Sequence, residues 1–140
     1  MRSLTTLRDE HSAILKIVRR LAEVIIQPSP PPPLHLLALR YELSSTLIAH
    51  HETEDWLVYP RLLASADARM ASTARAFSKD MGGLLAAYVV HCGKWQVNAI
   101  TADWAGYRSD SRILIGALTR RIAREDREMC PMLEALARAA

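Results

Sequence analysis

The stretch LLALRYELSSTLIAHHETEDWLVYP, residues 36–60, decides the fold. Leu36, Leu39, Leu43 and Leu47 alternate steps of three and four, the spacing of one face of an α-helix. The same rhythm continues onto His50, Glu54 and Leu57, so two ionisable groups take positions that face a core. His51, Glu52 and Asp55 fall beside or opposite that stripe. Pro33, which closes the run PSPPPP at 28–33, suits the first turn of this helix. Pro60 is expected to kink it before Leu62 and Leu63 finish it.

The flanking segments carry the same period. Thr5 to Gln27 shows Leu7, Ile14, Val18, Leu21 and Ile25 on one face, with His11 among them and Thr6 and Asp9 as a capping pair. A third stripe reads Phe77, Met81, Leu84, Tyr88, His91 and Trp95, weakened locally by Gly82 and Gly83. A fourth reads Trp104, Tyr107, Leu114, Leu118, Arg121, Glu125, Glu128, Met132 and Leu136. Helices over about 5–27, 33–63, 71–97 and 102–138 predict an all-α, up-down-up-down four-helix bundle, with residues 1–140 as a single domain. The motif HHETEDWLVYP at 50–60 has an imperfect echo in RIAREDREMCP at 121–131, sharing Glu, Asp and Pro at equal offsets.

Half of the 140 residues are hydrophobic, enough for one real core. The net charge is +3 and the pI about 9.1. The arginines are scattered among acids, with no basic stripe interleaved with aromatics, so nucleic-acid binding is not expected. Arg8, Asp9 and Glu10 leave no room for the apolar core of a signal peptide, and no uncharged apolar run reaches bilayer length. These features predict a cytoplasmic protein without membrane attachment, where Cys92 and Cys130 stay reduced. No nucleophile–base pair, phosphate loop or Cys-rich zinc pattern is present, which argues against a hydrolase or transferase.

In an antiparallel bundle, residues equally far from a loop share a height, at about 1.5 Å per residue. His11 stands sixteen residues before Gln27 and His50 seventeen after Pro33. Counting around the other loops brings Glu54, Met81, Arg121 and Glu125 to the same level. His91 lies ten residues away from Met81, roughly 15 Å, and is read as a core histidine bonded to a carbonyl. The six residues form one polar layer whose burial must be compensated. A metal held by the i, i+4 pair His50 and Glu54 with facing carboxylates is one solution. A salt-bridge cluster of Arg121 with Glu54 and Glu125 is the other. The tryptophans and tyrosines, Trp56 and Tyr59 included, are read as packing. Cys92 and Cys130 should lie on opposite sides of the layer, roughly 30 Å apart, too far to bridge.

At these residues the sequence resembles the hemerythrin-like family, the bundle known for its HHE pattern. LRDEHSAIL around His11 is similar to the family's first-helix motif, and His50 to Pro60 to its second, H-x-x-x-E followed by apolar residues and proline. The resemblance implies a non-haem di-iron centre built from histidines and bridging carboxylates, used to bind or sense oxygen, nitric oxide or iron, or to handle peroxide. By position, His11, His50, Glu54 and Glu125 match the ligands, with the two glutamates as bridges. Met81 and Arg121 stand where the family has histidines, and His51 is solvated or lies outside the ligands.

Four ligands and one fixed cation imply a reduced site. The expectation is a protein that binds iron, with manganese or zinc as substitutes, at one or two metals, for sensing or regulation rather than oxygen storage. Its partners would be a small diatomic ligand or peroxide, a regulatory protein, or a second copy in a homodimer, although no apolar stripe stands out as left over. The alternative is a metal-free degenerate bundle in which Arg121 neutralises the glutamates and the surface serves protein interaction.

Overall fold

The computed structural model describes residues 2–139, with side chains from Leu4 to Ala139. Among them there is no strand; the protein is all-α. Helix α1 covers Arg2–Ile25, and a second rod is built of α2 (Pro33–Thr53), a π-turn (Glu54–Val58) and α3 (Tyr59–Leu63). Helix α4 spans Ala68–Lys94, and a short α5 (Val97–Ala102) leads to the last rod: α6 (Trp104–Arg124), a second π-turn (Glu125–Met129) and α7 (Cys130–Ala139).

The ends follow local chemistry. Pro33 opens α2, where its missing N–H costs nothing. Asp67 accepts from the Arg69 N–H and Asp103 from the Gly106 N–H, so α4 and α6 begin at carboxylate caps. The Asp67 cap starts α4 three residues before the expected Ala71, and the extended turn at Trp95 ends it before 97. Thr6 lies inside α1 rather than at its cap, because that helix already begins at Arg2.

Side-chain pairs order the rods. Arg20 meets Glu42 while Glu10 meets His50; Arg40 meets the Trp95 carbonyl while Ser44 meets Tyr88. Lys94 meets Asp110 while Asp80 meets Arg124, and Arg108 meets the Ile25 carbonyl while Arg8 meets Glu134. In each pair one number rises as the other falls, so neighbouring rods run in opposite directions.

Two apolar clusters fill the interior. One joins Ile14 to Ile25 of α1 with Leu36, Leu43, Leu47, Tyr88, Leu114 and Leu118. The other joins Leu4 and Leu7 with Val58, Leu62, Phe77, Met129 and Leu133. Between them in sequence stand the buried His11, then His50, Thr53 and Glu54, then Met81, then Glu125, with Arg121 beside Ile122 of the first cluster. Cys92 packs against the first cluster, Cys130 belongs to the second, and both thiols are free.

The two π-turns correct the stripes read from sequence. Tyr59 N–H bonds back to the Glu54 carbonyl and Cys130 N–H to the Glu125 carbonyl, five residues rather than four. Each extra residue rotates the downstream helix by one position. Val58 is therefore buried while Leu57 is 44% exposed, and Met129 is buried in place of Glu128. Trp56, read as packing, is 79% exposed, because two residues past the inward Glu54 it stands on the opposite side of the helix. The wide turn also leaves Pro60 and Pro131 without a helical N–H to supply, so the repeat seen in the sequence is one local structure made twice.

Candidate metal centre

Each π-turn opens on a fully buried glutamate, and the two carboxylates face each other across the core. Their oxygens divide the surroundings between them. Glu125 Oε1 takes His11 Nε2 at 2.8 Å and His50 Nε2 at 3.0 Å. Glu125 Oε2 takes Arg121 Nε at 2.5 Å. Glu54 Oε1 lies 2.7 Å from His50 Nε2, and Glu54 Oε2 accepts from Arg121 Nη2 at 3.2 Å and from the Tyr59 hydroxyl. Arg121 completes its fork on the Phe77 carbonyl at 3.0 Å and the Tyr59 oxygen at 2.9 Å, with the Phe77 ring 4.6 Å from the guanidinium carbon. Arg121 thus holds one oxygen of each glutamate, and the histidines hold the other.

Both imidazoles are fixed from behind. His50 Nδ1 is 2.8 Å from Glu10 Oε1, and His11 Nδ1 is 2.7 Å from Asp126 Oδ1. The Thr53 hydroxyl donates to the second Glu10 oxygen at 2.5 Å. A carboxylate behind a ring nitrogen fixes that nitrogen as the N–H and turns the other outward as a lone pair. In the neutral tautomer, two Nε2 lone pairs then point at Glu125 Oε1, and one also meets Glu54 Oε1. Lone pairs at 2.7–3.0 Å repel unless positive charge stands between them.

Two sources of charge meet that need. Protons on both rings are one, and the surroundings favour them. Burial alone would lower the His50 pKa, but Glu10, Glu125 and Glu54 overcome it and push it up to about 11. His11 is raised in the same way, by Glu125 and Asp126 against burial. Glu125 is held well below the usual carboxylate range, since His11, His50 and Arg121 outweigh its burial. A divalent cation is the other source, carrying the charge of two protons. Metal bonds of about 2.1 Å at right angles put neighbouring donor atoms about 3.0 Å apart, close to the separations seen. One donor is left for it: Glu54 Oε1 is buried and forms no hydrogen bond, its approach to His50 Nε2 being off the N–H line. The donor set of two imidazoles and two carboxylates fits a metal of intermediate hardness.

The donors of His11, His50 and Glu125 lie within 4.8 Å of one another; Glu54 stands outside that trio, its Oε1 meeting His50 Nε2 at 2.7 Å. A second trio, His11, Asp126 and Cys130, lies on the other side of the His11 ring, with burial pushing the Cys130 thiol up to about 11. Met81 is buried, but it is Phe77, one turn earlier, that receives Arg121. His51 is half-buried and pairs with Asp55 at 3.1 Å, apart from the cluster. His91 meets the Ser111 hydroxyl at 3.1 Å rather than a carbonyl.

A family model for the hemerythrin HHE cation binding domain matches residues 2–133. The chain belongs to the hemerythrin HHE family. No curated protein and no solved structure matches it. Membership makes this a cation-binding fold, and the buried His–Glu cluster is where the hemerythrin-like bundle of this chain gathers groups able to hold a metal. Among the described residues, no helix is long and apolar enough to cross a membrane.

Sequence reasoning did not find Glu10, Asp126 or the hydroxyl role of Tyr59. Glu10 directly precedes His11, and Asp126 comes directly after Glu125, each one step off an inward stripe. The signal available was chemical: an inward histidine needs a partner for its second nitrogen.

Proposed function

We propose that this hemerythrin-like protein holds a single metal cation, iron in the cell, between His11 Nε2, His50 Nε2, Glu54 Oε1 and Glu125 Oε1, and that it serves sensing or regulation in the cytoplasm. The observation that carries the reading is the division of the two glutamates: Oε1 of each turns to histidine Nε2, while Oε2 of each is neutralised by Arg121. A second cation would have to displace a guanidinium that already makes four hydrogen bonds.

Bound there, iron supplies an open coordination position for a small diatomic ligand or peroxide, with manganese or zinc as substitutes. The chain's own residues do the rest. Glu10 and Asp126 hold the imidazole rings in the ligating tautomer, and Arg121 balances half the carboxylate charge. The Tyr59 hydroxyl donates to Glu54 Oε2, and its pKa is raised by burial and by Glu54, so it stays protonated as a donor beside the site. The apolar clusters on both sides keep bulk water away.

A metal-free interaction module is the competing reading, supported by the imidazolium network that satisfies Glu125 Oε1. Replacing Glu54 by Gln separates them. The metal reading expects iron and zinc binding to weaken at least about tenfold in chelator competition. Unchanged binding, or no binding to the natural sequence, favours the module.

A further inference from the structure

The outer face of α4 has no explanation within one molecule. From Met81 to Gly93 there are thirteen residues without an Asp, Glu, Lys or Arg. Gly82, Gly83, Ala86, Ala87 and Gly93 are exposed there, and Val89 and Val90 are 68% and 67% exposed. A solvated helix face normally carries charge over such a length. The adjoining α2, tied to α4 by Ser44 and Tyr88, adds Leu37, Tyr41 and Ile48, all exposed. A contiguous apolar face of this kind marks a docking surface.

We infer that this face binds a second copy of the chain, α4 against α4, antiparallel about a two-fold axis at Ala86. The pattern is complementary to itself under that operation. Val90, four residues after Ala86, meets Gly82 of the second copy, four residues before; Val89 meets Gly83 in the same way. A Cβ built on Gly82 or Gly83 has nothing within 4 Å, so each glycine leaves a recess that a valine fills. The charges stand only at the ends of the run. Asp80 of one copy falls within two residues, about 3 Å, of the level of Lys94 on the other, opposite in sign, each also paired within its own chain, to Arg124 and Asp110. Lys79 faces Gly93. Thirteen residues span about 20 Å, and with α2 the face is roughly as wide, about 400 Å² in projection per partner, the size of a small interface. The inference is independent of any metal, since the paired face lies on the outside of the bundle.

Sedimentation velocity on the full chain from about 5 to 200 µM tests it. The expected species has twice the 15.7 kDa chain mass. Val90→Glu should give a monomer with unchanged helical circular dichroism and unchanged metal content. Gly82→Val alone should also give a monomer, because two large residues then collide, and Gly82→Val combined with Val90→Gly should restore the dimer. A monomeric natural sequence overturns the inference, as does a dimer that survives both single substitutions or a double variant that stays monomeric.

Discussion

Arg121 and Glu125 are joined at 2.5 Å through Nε and Oε2, which leaves Oε1 of the same carboxylate to His11 and His50. The guanidinium acts as a second positive centre by bridging Glu125 to Glu54. Arg121→His should remove that bridge, supply a ligand, and raise the metal content from about one to about two per chain by elemental analysis. A ratio that stays at one removes the argument that Arg121 occupies a second cation's place. Arg121→Leu should cost about 3–5 kcal/mol in denaturant unfolding of the metal-free protein, because it strands two buried carboxylates.

Glu10 and Asp126 act through the imidazoles, so their substitution should move metal affinity more than stability. Glu10→Gln and Asp126→Asn should each weaken zinc binding about 10–100-fold in competition with a fluorescent chelator. Asp126, 53% exposed, should cost under about 1 kcal/mol in unfolding. Equal affinity across the three proteins would show that the rings need no outer carboxylate.

The metal-free protein should be most stable between about pH 4.5 and 6.5. His50 and His11 have raised folded pKa values, so their contribution is complete below the ordinary 6.5 and is lost as pH rises, for His50 towards about 11. Glu125 has a depressed folded pKa, so its contribution is complete above 4.5 and is lost as pH falls below that. His91, lowered by burial and by Arg40, works the other way below 6.5, as one group against three. Metal binding should tilt the profile upward at high pH, since ligation needs neutral imidazoles. Urea midpoints of chelator-treated protein from pH 4 to 10 measure this; a midpoint that climbs steadily to pH 10 would contradict it.

Two aromatic residues read alike in the sequence should behave in opposite ways. Phe77, fully buried beneath Arg121, should cost about 3–5 kcal/mol as Phe77→Ala. Trp56, at 79% exposure, should change stability by less than about 0.5 kcal/mol as Trp56→Ser.

The fold was legible because leucine spacing and proline breaks are local signals, and together they specify the all-α bundle. The level of the polar residues was legible too: antiparallel rods convert counting along the chain into height, which brought His11, His50, Glu54, Arg121 and Glu125 together. What was hidden came from the π-turns. An extra residue between Glu54 and Tyr59, and again between Glu125 and Cys130, carries no propensity signal, yet it moves Leu57 and Glu128 outward and Val58 and Met129 inward. Glu10 and Asp126 were hidden because a stripe records which residues face the core, whereas these two reach in from its edge. The α4 face was passed over since its small residues look like ordinary helix formers until the structure shows them uncovered.

One cation per chain within the His–Glu cluster is decided by elemental analysis of protein purified from iron-supplied cells, paired with the His50→Ala variant. The expected result is about one metal per chain in the natural sequence and less than a tenth of that in His50→Ala at equal helical content. Metal-free natural protein that also fails to take up iron, manganese or zinc would contradict it.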